Sequence, residues 1–153
     1  RDLLRSVLAH NPDDPLANVE LGRLELRCGR PAAALEPLRR HTRLEPTAAT
    51  SQHDLGLALA ALGQPEAALL AMRRAMALDP SGEAAARWLV RHHESRGAYG
   101  RAAGWLAAWI DATRVDDASR AALEAELARR IRTAERYGQA LTAPPEPPPA
   151  DAR

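Results

Sequence analysis

Few residues in this 153-residue chain are of types that do chemistry, and their spacing argues against most of what they could do. His92-His93-Glu94 sets two imidazoles beside a carboxylate. Adjacent helical residues point about 100° apart, whereas helical metal ligands sit three or four positions apart, so these side chains read as solvated or packed. His10, His41 and His53 fall in separate segments and suggest no cluster. Gly97, Gly100 and Gly104 have the loose spacing of a phosphate-cradling loop. No strand pattern precedes them, which leaves a turn and close helix packing as their expected use. Cys28 is the only cysteine. It permits no internal disulfide and is expected to be a small buried residue near a turn. All 21 basic residues are arginine, so a phosphate-loop lysine cannot exist. Neither a Cys-x-x-Cys pair, a His-Glu-x-x-His helix nor a Gly-x-Ser-x-Gly elbow is present. The expectation is therefore no enzyme, no catalytic residue, no metal and no cofactor.

The arginines are the remaining chemistry. Arg23 and Arg27 are four apart, as are Arg87 and Arg91, and Trp88 lies inside the second pair. Residues at that spacing share one face of a helix. Guanidinium forks suit carboxylates, and an exposed Trp is a large, rigid binding anchor. The plainer alternative is that the charges are solvated and Trp88 packs against a later helix.

The elements that position these residues follow from a repeat. Leu21-Gly22, Gly29, Ala34 and Pro46 recur as Leu55-Gly56, Gly63, Ala68 and Pro80, each 34 residues on. A fixed period of that size marks a stacked helical-hairpin array. In the first full unit, Leu16, Val19, Leu21, Leu24 and Leu26 stripe one helix, and Gly29-Arg30-Pro31 turns the chain. Ala34, Leu35 and Leu38 stripe the return helix, and Pro46 ends it. Gly56 and Ala68 are small because two helices meet closely there. Pro37 is expected to kink the return helix of the first unit. After Arg114 the period is lost. Asp116-Asp117 caps a helix with the stripe Leu123, Leu127, Ile131 and Ala134, expected to fade by Thr142, and Gly138 near its end is expected to tolerate alanine. Ala143 to Pro149 reads as a polyproline tail or linker that either hangs free or rests in a groove.

Bulk properties narrow the partner. A formal charge of +1 gives no reason to expect nucleic acid. No run approaches the roughly 18 apolar residues of a membrane span, so membrane insertion is not expected. The first residue is Arg1, and Leu3, Leu4, Val7 and Leu8 already have helical spacing, which suggests a piece of something longer.

These residues closely resemble the tetratricopeptide repeat (TPR) family. Its Leu-Gly pair matches Leu21-Gly22 and Leu55-Gly56, and its turn Gly matches Gly29, Gly63 and Gly97. Its small Ala matches Ala34, Ala68 and Ala102, and its terminal Pro matches Pro12, Pro46 and Pro80. The match covers about residues 1–115. The resemblance implies an all-α, right-handed α-solenoid of TPR hairpins with a C-terminal capping helix. Residues 1–12 would be a partial repeat, followed by units at about 15–46, 49–80 and 83–114, a capping helix over 116–142 and a Pro-rich tail over 143–153. Where the family usually has an aromatic, this chain has Asn18, Gln52 and Ala86, which suggests looser seams, and Val90 replaces the third Gly, which should open that hairpin.

In the family the first helix of each hairpin lines a concave groove. The groove set here includes Val19, Glu20, Arg23, Arg27, His53, Asp54, Leu57, Arg87, Trp88, Arg91 and Glu94. From these the peptide-binding residues are expected to be Arg23, Arg27, His53, Asp54, Arg87, Trp88, Arg91 and Glu94. The implied function is a non-catalytic protein–protein interaction scaffold, with an acidic or acidic-apolar segment as ligand. The TPR subclass that clamps a C-terminal carboxylate would place Val19, Arg23, Asp54, Ala84 and Trp88 at the clamp, and Asp54 would repel such a ligand. The alternatives are a TPR region that presents or dimerises a catalytic domain elsewhere in a longer protein, and self-association through an open first hairpin.

Overall fold

A computed structural model describes residues 1–145. All of its regular structure is α-helix: α1 (Asp2–His10), α2 (Pro15–Arg27), α3 (Pro31–Leu44), α4 (Ala49–Ala61), α5 (Pro65–Leu78), α6 (Glu83–Ser95), α7 (Tyr99–Ala112) and α8 (Asp117–Arg136). They divide into two compact units, one ending at Leu78 and the other beginning at Asp79. In the first, α2 pairs with α3 and α4 with α5, while α1 lies on α2 and α3 on α4. In the second, α6 pairs with α7 and α8 lies on α7.

The repeat residues make the hairpins in the expected way. Gly29, Gly63 and Gly97 turn the chain at φ of 68°, 70° and 70°, a left-handed conformation that glycine adopts without strain. Pro31 and Pro65 then open helices, where a missing N–H is no loss. Gly22 lies against Leu38: a Cβ there would sit 2.5 Å from Leu38 Cγ. Gly56 lies against Met72, with the corresponding approach at 2.9 Å from Cε. Leu38 and Met72 are fully buried. α3 runs helical through Pro37. Asn18, Gln52 and Ala86 are all buried, and Asn18 Nδ2 donates to the carbonyls of Pro12 and Asp14 at 2.8 Å each. At that position the amide ties down the loop before α2, so the seat is filled by a polar fastening.

Three expectations change. α8 stops at Arg136, six residues before Thr142, because Gly138 takes φ 65° and the Gln139 N–H turns back to the Ala134 carbonyl. Gly138 is thus a left-handed helix terminator, not a position open to alanine. Cys28 is exposed, since it caps α2 next to Gly29, outside the packed hairpin. The proposed polyproline segment from 146 onward lies outside the described residues.

Candidate peptide-binding faces

The first helices of the hairpins carry the expected residues, and each unit presents its own face. In the first unit, Arg23 of α2 reaches Asp54 of α4, with Nε donating to Oδ2 at 2.6 Å. Glu20 stands 3.5 Å from the same guanidinium. His53 Nδ1 lies 3.3 Å from the other Asp54 oxygen. Burial alone would push the Asp54 carboxyl up, but hydrogen bonds from His53 and Arg23 outweigh it and hold it below its ordinary range. The Arg23 guanidinium is raised in turn, chiefly by its bond to Asp54. The structure therefore brings Arg23, His53 and Asp54 together, and they satisfy one another. Arg27, one turn further on, is exposed and stands apart from this cluster.

The second unit distributes its charges differently. Arg87 Nε donates to Glu83 at 2.6 Å, lies 3.6 Å from Glu126 of α8, and stacks over the Trp109 ring at 5.2 Å. Its charge is strengthened first by the Glu83 bond and then by Glu126. Glu94 receives Arg130 of α8 at 2.9 Å, and Arg130 bonds Glu126 at 2.7 Å. The Glu126–Arg130 pair thus faces α6, although its four-residue spacing alone suited any exposed helix face. Trp88 is half-buried and stacks on His92, with centroids 4.9 Å apart and planes 16° off parallel. Arg91 is exposed. Trp88, Arg91 and His92 fall at three- and four-residue spacings, hence on one side of α6.

Sequence reasoning missed three features. Glu25 is 1% exposed, with Arg1 at 2.8 Å, Arg30 at 2.5 Å and Arg5 at 3.5 Å. The Arg30 bond leads in holding its carboxyl low, and the cluster fastens α1, which buries no residue of its own, to α2. His41 Nδ1 and Ser51 Oγ meet at 2.6 Å in the buried seam of α3 and α4. Trp109 donates its indole N–H to the Ser81 carbonyl at 3.0 Å. The sequence signal for the first was a charged residue at the site that holds Leu59 in the next repeat. Among the described residues, no group of three His, Cys, Asp or Glu could hold a metal ion. No helix of the described chain is long and apolar enough to cross a membrane.

Comparison with known proteins agrees with this architecture. Residues 1–49 and 53–117 match the tetratricopeptide repeat family. A structure of the MamA RS-1 ArsTM double mutant superposes with a TM-score of 0.62 at 20% identity, covering 86% of this chain and 64% of that one. Two crystal structures of MamA superpose at 0.67 and 0.65, with 22% and 21% identity; they cover 88% and 93% of this chain and 84% and 85% of theirs. At such identities the likeness is one of fold. The chain thus spans just under two thirds of the first of these structures. No curated protein matches the chain. The fold class is all-α, an α-solenoid of helical hairpins.

Proposed function

The chain belongs to the tetratricopeptide repeat family, and we propose that it works as a non-catalytic scaffold that binds an extended segment of another protein on the first helices of its hairpins. Membership of a repeat family that presents helical faces to other chains supports the general part of this reading. The finer part rests on one observation: Trp88 is only partly buried and stacks on His92, with exposed Arg91 beside it.

The geometry sharpens the expected ligand. Arg23 is engaged by Asp54, and Arg87 by Glu83 and Glu126, so neither is the main carboxylate receptor. Within the second unit, exposed Arg91 on α6 takes that role. Trp88 supplies a large apolar ring with few rotatable bonds, which keeps the entropy cost of binding low. The ligand is an extended acidic-apolar segment, with its apolar residue on Trp88 and a carboxylate at Arg91.

The test is selection of 12-residue peptides from a displayed library on the wild-type chain, followed by titration monitored by Trp emission. Trp88→Ala should cost about 2 kcal/mol or more in binding. Arg91→Ala should weaken binding less, and more at low salt than at high. Selected peptides that bind both variants as tightly as wild type, with helicity intact, would place the binding surface elsewhere.

A further inference from the structure

The chain after α8 does not leave the second unit. Gln139 Nε2 donates to the Gly97 carbonyl at 2.7 Å, and its Oε1 accepts the Gly100 N–H at 3.1 Å. The Thr142 N–H donates to the Gly100 carbonyl at 3.2 Å. Tyr137 stacks on Tyr99 at 4.9 Å. Residues 139–143 therefore run as an extended strap along the first half of α7.

α7 is shaped for this strap. A Cβ at Gly100 would collide with the Ala140 carbonyl, and one at Gly104 with that of Thr142. Both glycines are buried. The positions 34 and 68 residues earlier hold Glu66 with Leu70, and Ala32 with Glu36; all four are exposed. The glycines thus belong to this hairpin alone and are explained by what lies over them.

The strap also falls in register with the repeat. Each hairpin's first helix ends in the same cap: the residue after the glycine bonds a carbonyl five positions before it, as Arg30 to Glu25, Gln64 to Leu59, Ala98 to His93 and Gln139 to Ala134. Those four acceptor residues are all buried. Five positions after the glycine comes alanine in every case: Ala34, Ala68, Ala102 and Ala143. A second helix should therefore begin near Ala140. Pro144 and Pro145 forbid it, because Pro144 would lack a bond to the Ala140 carbonyl and pushes Ala143 out of the helical region.

We propose that Asp117–Ala143 is a degenerate fourth repeat whose second helix is replaced by an extended strap, and that this strap acts as an intramolecular ligand sealing the Gly100–Gly104 ridge of α7. Gln139 of the strap and Tyr137 just before it fix α8 on α7, and the strap closes the ridge to any other extended chain. Its contacts are made by backbone groups and one amide side chain, so the shape of the ridge sets the fit.

The sign of one substitution tests it in the full chain. Ala for Gly inside a helix normally stabilises it. With the strap seated, Gly104→Ala should instead lower the melting temperature and release the strap. Hydrogen exchange at the Thr142 amide should be slowed in the wild type and return to the rate of an unstructured peptide in Gly104→Ala. In a strap-released background, Gln139→Ala with Thr142→Pro, the same Gly104→Ala change should raise the melting temperature. An unprotected Thr142 amide in the wild type, or a Gly104→Ala change that stabilises both backgrounds alike, would overturn the proposal.

Discussion

The two units solve the same packing problem with different materials. The first closes its hairpins with small and aliphatic residues, and it buries polar groups among them: Asn18, Glu25, His41, Ser51 and Gln52. The second buries Trp105, Leu106, Trp109 and Ile110 of α7 and Leu89 and Val90 of α6, with His93 as its one buried polar side chain among the described residues. Buried polar groups stabilise little on balance but are costly to leave unpaired, whereas buried aromatic area stabilises directly. The first unit should thus be sensitive to partners and protonation, and the second to volume. Their candidate faces differ in the same sense. Arg23 and Asp54 neutralise each other on one, while the other keeps a stacked Trp open.

The harshest way to break this comparison is to remove volume from the second unit. Trp109 is 4% exposed, donates to Ser81 and carries Arg87 over its ring. Trp109→Ala should cost about 3–5 kcal/mol, read by chemical denaturation. A loss near 1 kcal/mol would mean that the tryptophans are not what holds this unit.

A finer contrast lies between two equivalent glycines of the first unit. Alanine at either would gain about 1 kcal/mol of helix propensity. At Gly22 the new methyl meets the branch point of fully buried Leu38, so Gly22→Ala should be destabilising on balance by about 1–3 kcal/mol. At Gly56 it meets first the flexible end of Met72, which can swing aside. Gly56→Ala should stay within about 1 kcal/mol of wild type. Equal melting temperatures for the two variants would show that the hairpins yield alike.

The next effect sets a turn against an interior position. Gly138 sits at φ 65° with open space where a Cβ would go, so its alanine variant suffers backbone strain and no clash. Gly138→Ala should cost about 1–2 kcal/mol. It should also speed exchange at Gln139, whose N–H completes the cap. A stabilised variant would return Gly138 to the role of an ordinary helical residue.

What the sequence made legible was whatever repeats. The 34-residue spacing of glycine, alanine and proline located the hairpins, because each of those residues answers a local steric demand: a left-handed turn, a close crossing or a helix end. Helical spacing also decides which residues share one side of a helix, as with Trp88 and Arg91 on α6. The partners of the charged residues were not legible. Arg23 finds Asp54 across 31 residues, and Glu94 finds Arg130 on a helix outside the period. Such pairings depend on how helices pack side by side, which spacing within one helix does not encode. The fourth repeat escaped notice because α8 is 20 residues long where its counterparts have 13, which shifts Gly138 out of phase. Glycines at 100 and 104 looked like packing positions, and the partner they accommodate is a strap with no helical or strand signature of its own.

The smallest predicted effect tests the polar character of the first unit. His41 is 7% exposed, between Ser51 Oγ at 2.6 Å and the charges of Glu45, Arg23 and Asp54. Burial dominates and holds its imidazole below the ordinary histidine range. The unfolded chain therefore binds a proton at a pH where the folded chain does not. His41 stability is thus fully present above about pH 6.5 and declines as pH falls through that range. Asp54 has the same sign at lower pH: its depressed carboxyl supports the fold above the ordinary carboxylate range and ceases to as pH falls through its folded value. Lowering pH from 7 to 5 should weaken amide protection in α3 and α4 before acid reaches Asp54. His41→Gln keeps a partner for Ser51 but cannot titrate, so its protection should change less over that step. A parallel decline in wild type and His41→Gln would assign the acid sensitivity to the carboxylates, and the buried histidine would then be a packing residue like its apolar counterpart Ala75 in the next repeat.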